Sequence, residues 1–216
     1  EGVEEVRRKF FGTLYNTYSF FALYANVDNF TNSQPQVPMD KRPEIDRWII
    51  SLLNSLIKEV DESYNDYEPT KAGRAISIFV NDHLSNWYVR LNRKRFWGGT
   101  LTEDKLAAYQ TLYTCLDTVA RLMAPISPFY ADQLFLDLNN ATGCDKSESV
   151  HLANFPKYDE SLIDKTLEER MQLAQDISSM TLSLRKKENI KVRQPLKQIM
   201  VPILAEHEQE NVEAVK

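Results

Sequence analysis

The residues best suited to chemistry are cations and aromatics packed together in Asn86 to Trp97, NWYVRLNRKRFW, which holds four basic side chains in a chain of net charge −5. Clustered cations neutralise phosphates, and an indole or guanidinium plane can stack on an unpaired base, so this composition points to RNA. At about 100° per residue, Arg90, Arg93, Lys94 and Trp97 stand at i, i+3, i+4 and i+7 and form one stripe along a helix, with Arg95 on the other flank. The competing reading needs no ligand: long basic side chains lay their stems along an apolar seam and keep their charges in water. The near absence of acids within the run, and the indoles of Trp87 and Trp97 at its ends, favour the RNA reading. Trp87 falls in the apolar seam and reads first as core; Trp97, beside Gly98 and Gly99, is the better stacking surface.

A second basic cluster, Arg185, Lys186, Lys187, Lys191, Arg193 and Lys197, contains Glu188 as its one acid and is a second candidate phosphate track. Other groupings carry less. His83, His151 and His207 have no metal-ligand spacing, Cys115 and Cys144 belong to no CxxC pair, and no Ser, His and Asp set is brought together. Neither a catalytic nor a metal site is expected. The acid pairs Asp61–Glu62 and Glu168–Glu169 read as solvated helix faces.

These residues must be carried by helices. With 216 residues, 43% hydrophobic content and only six glycines, the chain can bury a full core and lacks any Gly-rich strand-to-helix turn, which argues for an all-α architecture. Helical spacing runs from Val3 to Tyr24, then fails through an Asn- and Pro-rich loop, Val27 to Arg42. A second helix starts at Pro43 and Glu44 and continues through Ile45, Trp48, Ile49, Leu52, Leu56 and Val60. The third, from about Thr70 to the Gly98–Gly99 pair, has its seam at Ile76, Val80, Leu84, Trp87 and Leu91. Thr102 caps a fourth that Pro125 halts, and Ser127–Pro128 opens a short fifth over Phe129 to Leu138.

A short extended piece is expected around Val150 to Leu152, a last helix from roughly Leu162 to Glu188, and a strand-like pattern at Ile199, Val201 and Ile203. The tail from Ala205 to Lys216 reads as frayed or helical. The expected organisation is a bundle of about five to six helices over 1–188, followed by 189–216 as the truncated start of a further domain. The helical start at Glu1 suggests a piece of something larger, with no signal peptide and no bilayer-spanning run; the cysteine usage suits a reducing cytoplasm.

Five stretches in order, GVEEVRRKFFGTLYNTYSFFALYAN, LSNWYVRLNRKRFW, APISPF, SVHLANFP and IKVRQPL, closely resemble the region of isoleucyl-tRNA synthetases that follows the catalytic domain. The likeness extends to about Leu204. It implies a class I anticodon-binding domain that docks the anticodon stem and loop of isoleucine tRNA. It also implies a monomeric cytoplasmic parent enzyme that joins isoleucine to tRNA using ATP with magnesium, with zinc a further candidate; HIGH, KMSKS and the editing domain do not occur in this stretch, which would hold no cofactor and catalyse nothing. On that resemblance Arg90, Arg93, Lys94 and Arg95 would contact the stem-loop with Trp97 stacking or packing. Arg185, Lys186, Lys187, Lys191 and Arg193 would line a second backbone track or brace the missing C-terminal domain. The valyl and leucyl enzymes, and a helical scaffold docking other protein domains, are the alternatives.

Overall fold

The computed structural model describes residues 2–201 and 211–214, which form two compact units, Glu1–Ile163 and Asp164–Lys216. Among the described residues the only regular elements are helices, so the fold is all-α. In the first unit α1 covers residues 2–27, α2 Glu44–Asn65, α3 residues 69–96, α4 Glu103–Met123 and α5 Pro128–Thr142. In the second unit α6 covers Lys165–Lys187. The long last helix thus falls in the second unit, whereas the sequence grouped it with the bundle.

The core of the first unit is built round α4. Small and large apolar residues alternate on it, and Ala107, Ala108, Tyr109, Leu112, Cys115, Leu116, Val119 and Ala120 are all sealed from solvent. A helix buried around most of its circumference must be surrounded, and α2, α3 and α5 each pack on it. Thr102 Oγ1 accepts a hydrogen bond from Lys105 N at 3.2 Å and starts the helix as its sequence requires. Gly143, with φ of +63°, ends α5 in the left-handed conformation that favours glycine.

Helix α3 departs from its expected phase. One buried stripe runs through Ala72, Ile76, Val80, Leu84, Tyr88, Asn92 and Phe96, a strict step of four, and Phe79 and Val89 are buried beside it. In an α-helix that step over-rotates by about 40° each time and would wind the stripe off the core. Residues Phe79–Val89 instead form a π-helical stretch, whose wider turns absorb the excess and keep the stripe aligned. The expected seam therefore holds through Leu84 and then shifts: Tyr88 replaces Trp87, Asn92 replaces Leu91, and Leu91 is 57% exposed.

Two smaller expectations are corrected. Val150 to Leu152 is a turn rather than an extended piece, closed by Leu152 N donating to Ser149 O at 3.0 Å and pinned where Ser149 Oγ and Val150 N both donate to Asp132 Oδ1. Ile199 and Val201 form no strand, because among the described residues no segment offers them a ladder. Ile203, His207 and most of the tail read as frayed or helical lie outside the described residues; 211–214 is a helical turn.

The α2–α3 corner turns through Tyr67, whose φ is +59° and whose ring is 92% exposed. A bulky residue occupies a left-handed helix-terminal position that glycine fills at no steric cost, and its ring gains nothing by packing. Tyr67→Gly is accordingly expected to raise stability by about 0.5–1 kcal/mol, less than the full left-handed penalty because glycine also loosens the unfolded chain. A urea titration that places the midpoint of the variant below that of the parent would contradict this.

Candidate nucleic-acid interface

The π-helical stretch hands over to an ordinary α-helical turn at Arg90, so residues 90–96 present side chains at regular spacing. Arg90, Arg93 and Lys94 are exposed, and no described acid closes an ion pair with them. Trp97 leaves the helix with φ −81° and ψ 121° and is 53% exposed, so the last member of the stripe sits on the chain exit rather than on the helical face. Trp87 is half-buried, neither the core residue its seam position implied nor a free platform. The face thus offers three unpaired cations, Leu91 and the Trp97 indole.

Arg95 turns inward. Its Nη1 and Nη2 donate to Asp46 Oδ1 and Oδ2 at 2.6 and 3.0 Å, its Nε donates to Asp104 Oδ2 at 3.0 Å, and Nη1 also reaches Asn92 Oδ1 at 3.0 Å. A guanidinium with its donors engaged this way has nothing left for phosphate, which corrects the expectation that Arg95 joins the RNA contacts. Burial pulls its pKa down, but the hydrogen bonds and charge of Asp46, aided by Asp104, outweigh burial and hold it above the ordinary arginine value.

Asp46 lies in the first turn of α2, where the helix dipole favours a carboxylate, and is 0% exposed. It also accepts from Tyr88 Oη at 2.9 Å; burial first, then the Asp46 charge, pushes the Tyr88 hydroxyl well above the usual phenol range, so it stays a donor. One buried carboxylate thereby ties the last turn of α3 to the first turn of α2, and Asp104 adds the first turn of α4. Sequence reasoning missed Asp46, because nothing local to it or to Tyr88 signals the pairing.

Beside this clamp, Lys105 is buried and donates to Gly98 O at 3.0 Å while pairing with Asp28, which also accepts from Tyr109 Oη. In the second unit, Arg185 Nη1 donates to the carbonyls of Lys191 and Gln194, both at 2.9 Å, and folds the chain after α6 back on itself. Arg185 is thus committed to backbone, whereas Lys186, Lys187, Lys191 and Arg193 are exposed around that turn. Among the described residues no group of three His, Cys, Asp or Glu side chains could hold a metal ion, and no helix is long and apolar enough to cross a membrane.

Comparison with known proteins is concordant. The family described as the anticodon-binding domain of tRNA ligases matches residues 46–201. The chain is 72% identical over all 216 residues to an isoleucine-tRNA ligase of Bacteroides thetaiotaomicron, of which it covers 19%. The isoleucine-tRNA ligase of Porphyromonas gingivalis is 64% identical over the same 216 residues, again 19% of that protein. That of Clostridium tetani is 48% identical over 205 residues, 94% of this chain and 19% of its own. The chain spans about a fifth of the length of the curated relatives it matches. With the matched region running from the Asp46 clamp through the whole basic face to Val201, the chain belongs to the family of tRNA ligase anticodon-binding domains.

Proposed function

We propose that this chain docks the anticodon stem and loop of isoleucine tRNA, as the RNA-binding piece of a longer enzyme that joins isoleucine to that tRNA using ATP. The observation that carries the reading is the face formed by Arg90, Arg93, Lys94 and Trp97, exposed and unpaired beside a buried clamp that absorbs the neighbouring Arg95. Three cations in a row on one helix edge suit the phosphates of a stem, and the indole at the chain exit suits an unpaired loop base. Trp87 borders this face from its half-buried position. Family membership and the high identity to isoleucine-tRNA ligases favour isoleucine tRNA over the valine or leucine species.

Lys186, Lys187, Lys191 and Arg193 would form a second backbone track, with Arg185 shaping the turn that presents them. Aminoacylation would be the work of domains outside this stretch, with which the chain would act in one cytoplasmic enzyme.

The test is binding to isoleucine tRNA and to a non-cognate tRNA across a salt series, for the parent and for the Arg90→Ala/Arg93→Ala/Lys94→Ala variant. Each lost phosphate contact should reduce the log–log salt slope by about 0.7–0.9, so the triple variant should bind with a slope smaller by about two to three. An unchanged slope with equal binding to both RNAs would exclude the face as an RNA site and favour a helical scaffold that docks other protein domains.

A further inference from the structure

We propose that Lys105 is a positioning residue for the RNA-contacting face: by holding the Gly98 carbonyl it fixes the Trp97 indole as a preformed stacking platform. The inference rests on the reading of that face as an RNA site, and adds what keeps it in shape.

The chain exit after α3 has little else to hold it. Trp97 N donates to Lys94 O over a long 3.4 Å, and the two residues that follow, Gly98 and Gly99, have φ of +56° and +73°. Neither glycine has anything within 4 Å of where a Cβ would stand. Two consecutive left-handed glycines with open space around them form a joint, since glycine resists no backbone rotation by itself. With that joint free to absorb it, rotation about the Trp97 N–Cα bond would meet no resistance from the chain that follows, the indole would sample many directions, and stacking would then have to order it at binding.

Lys105 closes the joint. Its ammonium donates to Gly98 O at 3.0 Å, and the residue is 3% exposed. Asp28, at the end of α1, pairs with the same ammonium and is itself fixed by the Tyr109 hydroxyl. Buried ion pairs are weak stabilisers, because desolvation offsets most of the attraction. What a lysine supplies here that an apolar side chain of the same volume would not is a donor aimed at the main chain immediately after Trp97. Arg95 is anchored to Asp46 one turn earlier, so the helix up to Phe96 is already rigid, and holding the Gly98 carbonyl restricts the backbone rotation at Trp97 that is left to swing the indole.

The experiment uses the full 216-residue chain labelled with 5-fluorotryptophan, whose three indoles give separate fluorine signals, that of Trp97 being assigned with Trp97→Phe. The variants are Lys105→Met and Asp28→Asn/Lys105→Met; the second removes both charges so that no buried carboxylate is stranded. The expected result is a Trp97 signal that narrows and moves toward the free-indole position while those of Trp48 and Trp87 hold. Affinity for the anticodon stem-loop should fall about two- to tenfold, the cost of ordering one side chain at binding, with the salt slope unchanged. In a Trp97→Ala background the Lys105 substitution should cost no further affinity, since two residues acting through one contact are not additive.

A Trp97 signal unmoved in the double variant would overturn the proposal, as would an equal affinity loss with and without the indole. If Trp97→Ala leaves RNA binding untouched, the RNA reading of the indole fails. The proposal that Lys105 tunes RNA binding then fails with it, while the fluorine signal still reports whether Lys105 fixes the ring.

Discussion

Asp46→Ala is expected to destabilise the first unit by about 3–5 kcal/mol, the range for removing one partner of a buried, hydrogen-bonded pair. The substitution strands the Arg95 guanidinium, which keeps only Asp104 and Asn92, and leaves the Tyr88 hydroxyl without its acceptor. For a unit of this size that corresponds to a fall in Tm of roughly 10 °C, measurable by differential scanning calorimetry. Arg95→Met should destabilise by a similar amount, because it strands the fully buried Asp46 carboxylate with the Tyr88 hydroxyl as its remaining donor. Asp46→Ala with a Tm within about 2 °C of the parent would mean that the clamp carries little of the fold.

The second large effect separates two neighbours in sequence. Phe96 is fully buried, with its ring edge-on to Tyr109 at 5.0 Å and to Phe20 at 5.2 Å, and so joins α3 to both α4 and α1. Phe96→Ala should cost about 3–5 kcal/mol through lost transfer energy and the cavity left behind. Trp97→Ala, one residue on, removes a larger ring that is half in solvent and should change stability by less than about 0.5 kcal/mol. RNA binding should reverse the order: Trp97→Ala weakens it, whereas a Phe96→Leu variant that retains most of the packing leaves it near the parent. Denaturant midpoints and stem-loop affinities on the same three variants check both halves, and equal destabilisation at 96 and 97 would refute the assignment of inside and outside.

That contrast also marks where sequence reasoning reached its limit. The spacing in NWYVRLNRKRFW located the basic face, and Arg90, Arg93, Lys94 and Trp97 do stand exposed. A fixed 100° step could not separate Trp87 from Tyr88 or Leu91 from Asn92, because the residues of a π-helical stretch carry no local signature and displace everything after them by part of a turn. Arg95 and Arg185 looked like their neighbours for a different reason. A cation's partner is set by what packs against it, and Asp46 lies 49 residues from Arg95, on another helix.

The helices, their starts at Pro43, Thr102 and Ser127, and the all-α class were determined by the sequence itself, since periodicity, caps and prolines act within a few residues. The tertiary structure alone decided which cations are free. It joined Asp46, Tyr88, Arg95 and Asp104 from three helices, and Asp28, Gly98 and Lys105 from three segments, into buried networks. Those networks exist only once α2, α3 and α4 pack, because no charge is held out of water by the local chain. Packing is also what leaves Arg90, Arg93 and Lys94 exposed with no described acid as partner, and so what separates an open cationic face from the basic run that contains it.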